Sequence, residues 1–309
     1  MKCLVAVVGP TAVGKSQLAL HLAKELDGEI VNADSRQVYR YMDIGTAKPS
    51  RTEQSLIRHH LIDIINPDES FSLAIYQKLA IEAIEAIQRR NKFPLLVGGS
   101  GLYIWSVLEG WRIPPVGPNI ELRHSLEIRA KQEGVYALYQ ELQKVDPVAA
   151  TKIMPNNLRR IIRALEIYQV TGQPVSQLWQ KELPPFQVLI IGLTIQRDDL
   201  YIRIDSRVDD MIKQGLVDEV EDLMANGYGL ELPSMSGIGY KQIGMFLKGK
   251  LGLPAAIQQM KYETHRFARH QYAWFHLNDV RIHWLDMSEN VQKEVSRLVG
   301  TFITRHQNK

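Results

Sequence analysis

The sequence predicts an α/β protein in which helices flank a parallel sheet, with a second, all-helical domain inserted into the chain. Three observations support this prediction. Short apolar runs alternate with segments of helical periodicity, which is typical of a doubly wound parallel sheet. The first apolar run is followed at once by a glycine-rich loop and a helical segment. Between residues 110 and 185 the chain has helical periodicity, prolines near both ends and no convincing strand pattern.

Four apolar runs predict the strands of the sheet. The first, residues 4–8, has the length and branched composition of a buried parallel strand, and leucines at helical spacing follow it. Further strands are predicted at residues 29–33, 94–97 and 188–193. From residue 200 onward the chain is predicted to be mostly helical, with one apolar face formed by Leu200, Ile204, Val208 and Met211.

The predicted domain boundaries lie at two proline-rich segments. Residues 113–118 open the inserted stretch, and the proline pair at 184–185 closes it. We therefore predict a core made of residues 1–112 and 187–309, and a helical insertion of residues 113–186.

Composition and length place the chain among globular proteins. Its 309 residues are 45% hydrophobic and 23% charged, which excludes global disorder and suits roughly two domains. The 37 basic and 34 acidic residues give a net charge of +3, a bias too small to indicate a nucleic-acid partner by itself. With one cysteine, Cys3, the chain can form neither an internal disulfide nor a cysteine-based zinc site.

The amino-terminal segment reads as a strand and not as a targeting signal. Its apolar stretch ends at Gly9 and lacks the small-residue cleavage pattern of a signal peptide. No apolar run reaches the length of about 18 residues that a membrane helix needs. We therefore expect a cytoplasmic protein with no membrane partner.

A phosphate-binding motif is the clearest functional signal. Residues 9–16, GPTAVGKS, fit the pattern G-x-x-x-x-G-K-[ST] and lie between a predicted strand and a predicted helix, as the motif requires. The glycines let backbone N–H groups surround phosphate oxygens, Lys15 supplies a cation and Ser16 supplies a hydroxyl for Mg²⁺. A chance glycine turn is the alternative. The predicted parallel sheet is therefore of the P-loop type, and the candidate diphosphate-binding residues are Gly9, Pro10, Thr11, Ala12, Val13, Gly14, Lys15 and Ser16.

The parts needed for nucleotide hydrolysis are mostly missing. Many phosphate-transferring P-loop proteins carry a Mg²⁺-binding acid at the end of a neighbouring strand. Here the predicted strand at residues 94–97 ends in Gly98 and Gly99, which leaves Asp63 as a weak substitute. The sequence thus predicts a phosphate-binding site without clear hydrolytic machinery.

Asp34 follows the second predicted strand. Ligands of open α/β sheets bind outside the carboxyl ends of the strands, so Asp34 is expected beside the P-loop. The segment it opens, residues 34–49, is dense in hydrogen-bonding groups and irregular in hydropathy. A ligand-binding segment and a surface loop capped by Asp34 both fit this pattern.

An arginine pair is a second candidate for anion binding. Arg203 and Arg207 are four residues apart on a predicted helix, so they share a face, and an anion between them would relieve their repulsion. Pairing with Asp199 and Asp210 is the alternative.

Two basic segments are candidates for RNA contact. In the insertion, Lys152, Arg159, Arg160 and Arg163 have no acidic residues among them, and the three arginines lie on one side of a predicted helix. A solvated helix face is the alternative. Residues 261–274 alternate cations with aromatic side chains, which either stack on unpaired bases or pack in a core.

In their order along the chain, these segments resemble the tRNA dimethylallyltransferase family of bacteria. The similarity spans nearly the whole chain and rests on GPTAVGKS, on DSRQVYRYMDIGTAKP at 34–49, on HHLID at 59–63, on LLVGGSGLY at 95–103 and on RIDSRVDDMIKQGLVDEV at 203–220. The resemblance implies transfer of a dimethylallyl group from its diphosphate ester to the exocyclic amine of the adenine just 3′ of the anticodon in tRNA. The P-loop would then hold a diphosphate leaving group, with Mg²⁺ as the cofactor.

The resemblance also implies roles for individual residues. Asp34 would accept the proton of the adenine amine, Thr11 and Arg207 would contact the diphosphate, and Ser16 would bind Mg²⁺. The implied tRNA contacts are Asp34, Ser35, Arg36, Gln37, Ser100, Arg123, Arg159, Arg160, Arg163, Gly237, Gly239, Tyr240, Lys241, Arg269 and Gln271. At His270 and His276 the family often carries arginine. We expect a monomer whose partners are the tRNA anticodon stem-loop and dimethylallyl diphosphate.

Two other functions are compatible with a P-loop. A kinase of nucleosides or other small metabolites would use the same loop, with a lid supplied by the helical insertion. An RNA-binding ATPase switch would use it without modifying the RNA. Neither function has a use for residues 34–49 or explains the missing acid at Gly98.

Overall fold

The computed structural model describes residues 2–114, 116–178, 180–287 and 290–307. Met1 and Pro115, which belong to the predicted first segment and to the predicted opening of the insertion, lie outside the described residues. The chain divides into two compact units, one made of Met1–Phe71, Ile75–Leu108 and Pro184–Lys309, the other of Ser72–Ala74 and Glu109–Leu183. The predicted insertion, residues 113–186, overlaps the second unit, and its boundaries stay a prediction.

The strands of the described chain are β1 Cys3–Val8, β2 Gly28–Asn32, β3 His59–His60, β4 Phe93–Val97, β5 Trp111–Arg112, β6 Gln180–Lys181, β7 Gln187–Thr194 and β8 Ile282–Asp286. Six of them form one parallel sheet in the first unit, in the order β3-β2-β4-β1-β7-β8. The predicted parallel α/β sheet is confirmed. The apolar runs correspond to the four interior strands, whereas the edge strands β3 and β8 were not predicted.

The register of the sheet brings the functional segments together. Val97, the last residue of β4, is level with Val7 of β1 and with Asn32 of β2. The carboxyl ends of these three strands therefore meet at one edge of the sheet. The P-loop, Asp34 and Gly98 follow these ends directly.

The helices of the described chain are α1 Lys15–Glu25, α2 Arg51–Leu56, α3 Leu73–Arg89, α4 Gly101–Leu108, α5 Ile120–Glu133, α6 Val135–Val145, α7 Pro147–Ala150, α8 Leu158–Thr171, α9 Val175–Leu178, α10 Arg197–Lys213, α11 Leu216–Ala225, α12 Tyr240–Leu247, α13 Leu253–Tyr272 and α14 Val291–Gln307. A short 3-10 helix covers Ser234–Ser236. Within the described part of the chain, no helix is both long and apolar enough to cross a membrane.

The apolar faces predicted for α1 and α10 are buried. Leu18 and Leu22 of α1 pack in the same core as Leu200 and Ile204 of α10 and the residues of β1. Burial of apolar surface in this core is the main force that holds the amino-terminal end of α1 directly after β1. The P-loop is therefore fixed at both ends.

The second unit has its own helical core. Its helices α5 to α9 pack around apolar residues that include Leu126, Leu138, Leu142 and Leu165. The helices predicted for this region are confirmed. The two-residue strands β5 and β6 form one antiparallel pair, which the prediction of a purely helical insertion did not include.

Candidate active site

The P-loop adopts a backbone that only its glycines allow. Gly9 and Gly14 have φ values of 139° and 109°, in the region that favours glycine. A Cβ atom on Gly9 would also collide with the backbone carbonyl of Leu193. Gly14 is the N-cap of α1 and offers no side-chain cap, so the first N–H groups of the helix are free to bind an anion.

Lys15 is the cation of the loop. Its Nζ donates to the carbonyl oxygens of Gly9 at 3.0 Å and Pro10 at 2.6 Å. The pKa of Lys15 is lowered to about 7, chiefly by burial; the Asp34 carboxylate opposes this shift and nearby Arg207 adds to it. A bound phosphate would favour the charged amine, so the loop is prepared for an anion.

Two adjoining cavities open at this edge of the sheet. The larger, of about 800 Å³, is lined by Lys15, Ser16 and Arg203 together with many polar groups. The smaller, of about 280 Å³, is lined by Ser35, Arg36, Ser100 and Tyr240 together with apolar side chains. The residues that line both are Thr11, Ala12, Asp34, Thr46, Ala47, Arg207 and Met211. The three predicted catalytic residues are therefore brought together where the cavities meet.

Neighbouring groups hold Asp34 in place through its backbone and one of its carboxylate oxygens. Its Oδ1 accepts from the backbone N–H of Arg36 at 2.8 Å. The Asn32 side chain accepts from the Asp34 N–H at 3.1 Å and donates to the Leu61 carbonyl at 3.1 Å. Within the described chain, Oδ2 of Asp34 receives no hydrogen bond. Asp34 thus orders the start of its loop and still presents a free acceptor to the cavities.

The loop after Asp34 is anchored by the partly buried carboxylate of Glu219. The Glu219 carboxylate accepts from the N–H groups of Asp43, Ile44 and Gly45 and from the Tyr240 hydroxyl, at 2.6–3.1 Å. Carboxylates that accept several such bonds hold a segment strongly. This clamp fixes the wall that Gly45, Thr46 and Ala47 form.

Lys48 provides a second anchor for this loop. Its side chain is 3% exposed and lies in ion pairs with Asp43 and Asp63. Asp63, the weak sequence candidate for a magnesium ligand, is committed to this contact and lines neither cavity.

The glycines after β4 make room for other groups. A Cβ on Gly98 would collide with the backbone of Ala33, and one on Gly101 would collide with the Trp274 ring. Ser100 accepts from the N–H of Ser35 at 3.0 Å and so ties this turn to the Asp34 segment. No side chain, acidic or otherwise, fits at Gly98 without a shift of the backbone.

The structure separates the two arginines of α10. Arg207 is partly buried, lines both cavities and has no ion-pair partner within the described chain, and burial lowers the pKa of its guanidinium. Arg203 is exposed and lines the larger cavity only. Within the described chain neither arginine forms the alternative ion pair with Asp199 or Asp210, and Asp210 contacts Lys213 instead, at 3.4 Å. An uncompensated, partly buried guanidinium is a strong anion-binding group.

The predicted tRNA residues of the first unit fall into two groups. Those at the smaller cavity are Asp34, Ser35, Arg36, Ser100, Gly237 and Tyr240. Arg36 donates to the Pro233 carbonyl at 2.8 Å, and Tyr240 is buried against Glu219. Those outside that lining are Gln37, Gly239, Lys241, Arg269 and Gln271. Lys241, Arg269, His270 and His276 are exposed.

On α13 the structure sorts the aromatic side chains of residues 261–274. Tyr262 and Phe267 are exposed, at 59% and 43%, and Phe267 lines the smaller cavity whereas Tyr262 does not. Tyr272 and Trp274 are partly buried. Phe267 is therefore the aromatic residue of this segment that is open to a ligand in the cavity.

In the second unit, the predicted basic stripe, which consists of Lys152, Arg159, Arg160 and Arg163, contains both exposed and paired side chains. Arg159 and Arg160 are exposed on α8. Arg163 and Arg123 both pair with the fully buried carboxylate of Glu166, at 2.6 and 2.8 Å. A buried carboxylate needs such partners. These two arginines therefore have a structural role, and contact of all four with tRNA stays a prediction.

Several functional contacts were not anticipated from the sequence. They are the anchoring of the Asp34 segment by Asn32 and Glu219, and the burial of Gln271, which is 4% exposed, between the P-loop and Gly99. A sequence signal existed for Asn32, an amide that directly follows the apolar pair Ile30 and Val31 and precedes Asp34 by two residues.

The chain matches a family profile and many known proteins. The profile described as IPP transferase matches residues 37–278. Two proteins named tRNA dimethylallyltransferase, from Roseiflexus castenholzii and Herpetosiphon aurantiacus, are 53% and 55% identical to it over 272 residues, covering 88% of this chain and 89% and 86% of theirs.

Solved structures agree with this assignment. The tRNA isopentenylpyrophosphate transferase of Bacillus halodurans superposes with a TM-score of 0.74 at 41% identity, covering 100% of this chain and 99% of its own. A eukaryotic dimethylallyltransferase acting on tRNA superposes with a TM-score of 0.85 at 30% identity, covering 99% of this chain and 80% of its own. The resemblance found in the sequence is confirmed: the chain belongs to the IPP transferase family.

Proposed function

We propose that this enzyme transfers a dimethylallyl group from dimethylallyl diphosphate to the exocyclic amine of the adenine 3′-adjacent to the anticodon in tRNA, releasing diphosphate. The observation that carries the proposal is the meeting of two cavities at Asp34, Thr11 and Arg207. One cavity offers anion-binding groups and the other offers hydrogen-bonding and apolar groups suited to a base. A group transfer between two bound substrates needs such a shared boundary.

The larger cavity suits the diphosphate end of the donor. The free N–H groups at the start of α1, the Lys15 amine and the Arg207 guanidinium all face this space. As the bond between the allylic carbon and the bridging oxygen breaks, its electron pair goes to the diphosphate. Fixed donors and cations stabilise the charge that develops on this leaving group.

Asp34 suits the role of proton acceptor. The adenine amine forms a bond to the allylic carbon and must lose a proton, because its lone pair is consumed in the new bond. Asp34 lines both cavities, and its Oδ2, which receives no hydrogen bond within the described chain, would accept that proton. Its Oδ1 is held by Arg36, so the carboxylate is fixed before the substrates bind.

Mg²⁺ fits the donor groups at the larger cavity. Within the described residues, no cluster of three or more His, Cys, Asp or Glu side chains could hold a metal by itself. Mg²⁺ is commonly bound by one or two protein oxygens and the phosphates of a substrate. The hydroxyl of Ser16, which lies in the first turn of α1 and lines this cavity, would be the protein ligand. When bound, Mg²⁺ would neutralise charge on the diphosphate.

The tRNA would approach the smaller cavity with the target adenine turned out of its stack, as enzymes that modify bases require. The exposed Arg159 and Arg160 of the second unit suit contacts with the phosphate backbone. All residues proposed for the reaction belong to one unit of one chain, so we propose a monomer. Because the proposed substrate is tRNA, we also propose a cytoplasmic location.

A kinase or ATPase fits the site less well. Both depend on a Mg²⁺-binding acid near the P-loop. At the end of β4 that position is Gly98, where the Ala33 backbone leaves no room for a side chain.

A direct transfer assay tests the proposal. The protein, Mg²⁺, labelled dimethylallyl diphosphate and an unmodified anticodon stem-loop are incubated, and the label in RNA is measured and mapped by mass spectrometry. We expect one dimethylallyl group on the adenine 3′ of the anticodon. A stem-loop with guanine at that position and the Lys15→Ala variant are the controls, and both should stay unlabelled. Absence of label with the wild-type enzyme, or phosphate release from ATP in its place, would refute the proposal.

A further inference from the structure

Gln271 connects α13 to the P-loop through both ends of its amide. Its Oε1 accepts from the backbone N–H of Thr11 at 2.7 Å, and its Nε2 donates to the Gly99 carbonyl at 3.0 Å. The side chain is 4% exposed. A buried amide with each end satisfied holds its partners in fixed positions, since breaking either bond leaves a buried polar group unpaired.

The chain is shaped to receive this amide. A Cβ on Gly99 would collide with Nε2 of Gln271. The end of α13 is itself fixed, because the Trp274 ring fills the space that Gly101 leaves and the Trp274 carbonyl accepts from Nε1 of Trp105 at 2.9 Å. Gln271 therefore reaches the P-loop from a rigid support.

The hydrogen bond from Thr11 to Gln271 determines which groups of Thr11 are available to a ligand. The Thr11 N–H donates to Gln271 and is therefore not available to a phosphate. The next residue, Ala12, has a φ of 64°. Thr11 lines both cavities, and within the described chain its hydroxyl has no hydrogen-bond partner. The backbone of Thr11, which carries this hydroxyl, is thus held from α13.

We propose that Gln271 is a positioning residue of the reaction, which fixes the P-loop so that Thr11 faces the boundary of the two cavities. This inference rests on the proposed transfer activity. It replaces the tRNA contact that resemblance implied for Gln271, because the amide is only 4% exposed and both of its ends already bind protein groups.

The substitution Gln271→Met tests the proposal, since methionine has a similar length but no hydrogen-bonding group. We expect single-turnover transfer at saturating substrates to fall about 10- to 100-fold, the range that small misplacements of reacting groups cause. The dissociation constant for the anticodon stem-loop should stay within about twofold. Gln258→Met, an exposed position on the same helix, is the matched control and should change neither quantity.

A second variant probes the geometry directly. Gly99→Ala should also slow transfer, because the new Cβ displaces the Gln271 amide. In a Gln271→Ala background that space is empty, so Gly99→Ala should add little. The pair should therefore cost much less than the product of the two single losses, as expected for groups in contact. Independent, multiplying losses would contradict the proposed contact.

Three results would overturn the inference. Gln271→Met could weaken RNA binding tenfold while transfer at saturating RNA stays intact, which would make Gln271 an RNA contact. It could lower only the melting temperature, which would make it merely structural. We also expect Gln271→Met to weaken the binding of inorganic pyrophosphate about tenfold, because the loop is misaligned. Unchanged pyrophosphate binding would be the third contrary result. That titration needs no transfer, so it tests Gln271 even if the wild type transfers nothing and the proposed function fails.

Discussion

Asp34→Asn separates the two roles that the structure gives to this side chain. Oδ1 of Asp34 accepts from the N–H of Arg36, and an asparagine Oδ1 can accept the same bond. The loop should therefore keep its order, with a loss of stability below the ~0.5–1.5 kcal/mol of one hydrogen bond. What is lost is the free Oδ2, the proton acceptor. Removal of a general base typically costs about 10² to 10⁴ in rate, and we expect that loss here.

The assay is single-turnover transfer with saturating tRNA and donor, with the dissociation constant for tRNA measured separately. Saturating donor is needed because the Asp34 carboxylate raises the pKa of Lys15, so its removal would also weaken donor binding above about pH 7. Asp34→Ala, which also gives up the bond to Arg36, should lose stability in addition to rate. A transfer rate in Asp34→Asn close to that of the wild type would show that Asp34 only orders its loop.

Three further predictions follow from the same geometry. Because the pKa of Lys15 is about 7, the binding of pyrophosphate at pH 8 should be accompanied by uptake of a proton. Calorimetry in buffers of different ionisation enthalpy measures this uptake, which should be lost in Lys15→Met. Equal binding heats in all buffers for the wild type would contradict the prediction. Replacing Arg159 and Arg160 together by alanine should lower the salt slope of tRNA binding by about two without changing donor affinity, and an unchanged slope would make them a solvated face. Phe267→Ala should raise the KM for tRNA about 5- to 150-fold, which corresponds to a stacking loss of ~1–3 kcal/mol, and should increase the fluorescence of 2-aminopurine placed at the target position. Tyr262→Ala should do neither, and matching effects of the two variants would refute stacking.

The strands that could be predicted from sequence are those that are buried on both faces of the sheet. Interior strands of a parallel sheet are covered on both faces and read as continuous apolar runs. This holds for β2, β4, β1 and β7. The edge strands lack that signal, because β3 has two residues and β8 buries only Ile282. Their place in the sheet depends on long-range pairing, which no local pattern encodes.

The same division applies to the site. The P-loop could be recognised because its glycines, Lys15 and Ser16 act within one short segment. The roles of Glu219 and Gln271 could not, because each is defined by bonds to segments far away in the chain, with 260 positions separating Gln271 from Thr11. The basic stripe shows the converse error. Absence of acids around Arg163 suggested a free cation, but Glu166, three residues further on, pairs with it.

The glycines after β4 leave no space for an acidic side chain at the end of that strand. In many P-loop enzymes that use Mg²⁺ to transfer phosphate, an acid stands at the end of the neighbouring strand. Here the space beside Gly98 is filled by the Ala33 backbone and the space beside Gly99 by the Gln271 amide. An aspartate at either position would need the backbone or the amide to move, and moving the amide would release Thr11. In the proposed mechanism the Gln271 amide therefore has two effects: it holds the P-loop at Thr11, and it fills the space that a side chain at residue 99 would need.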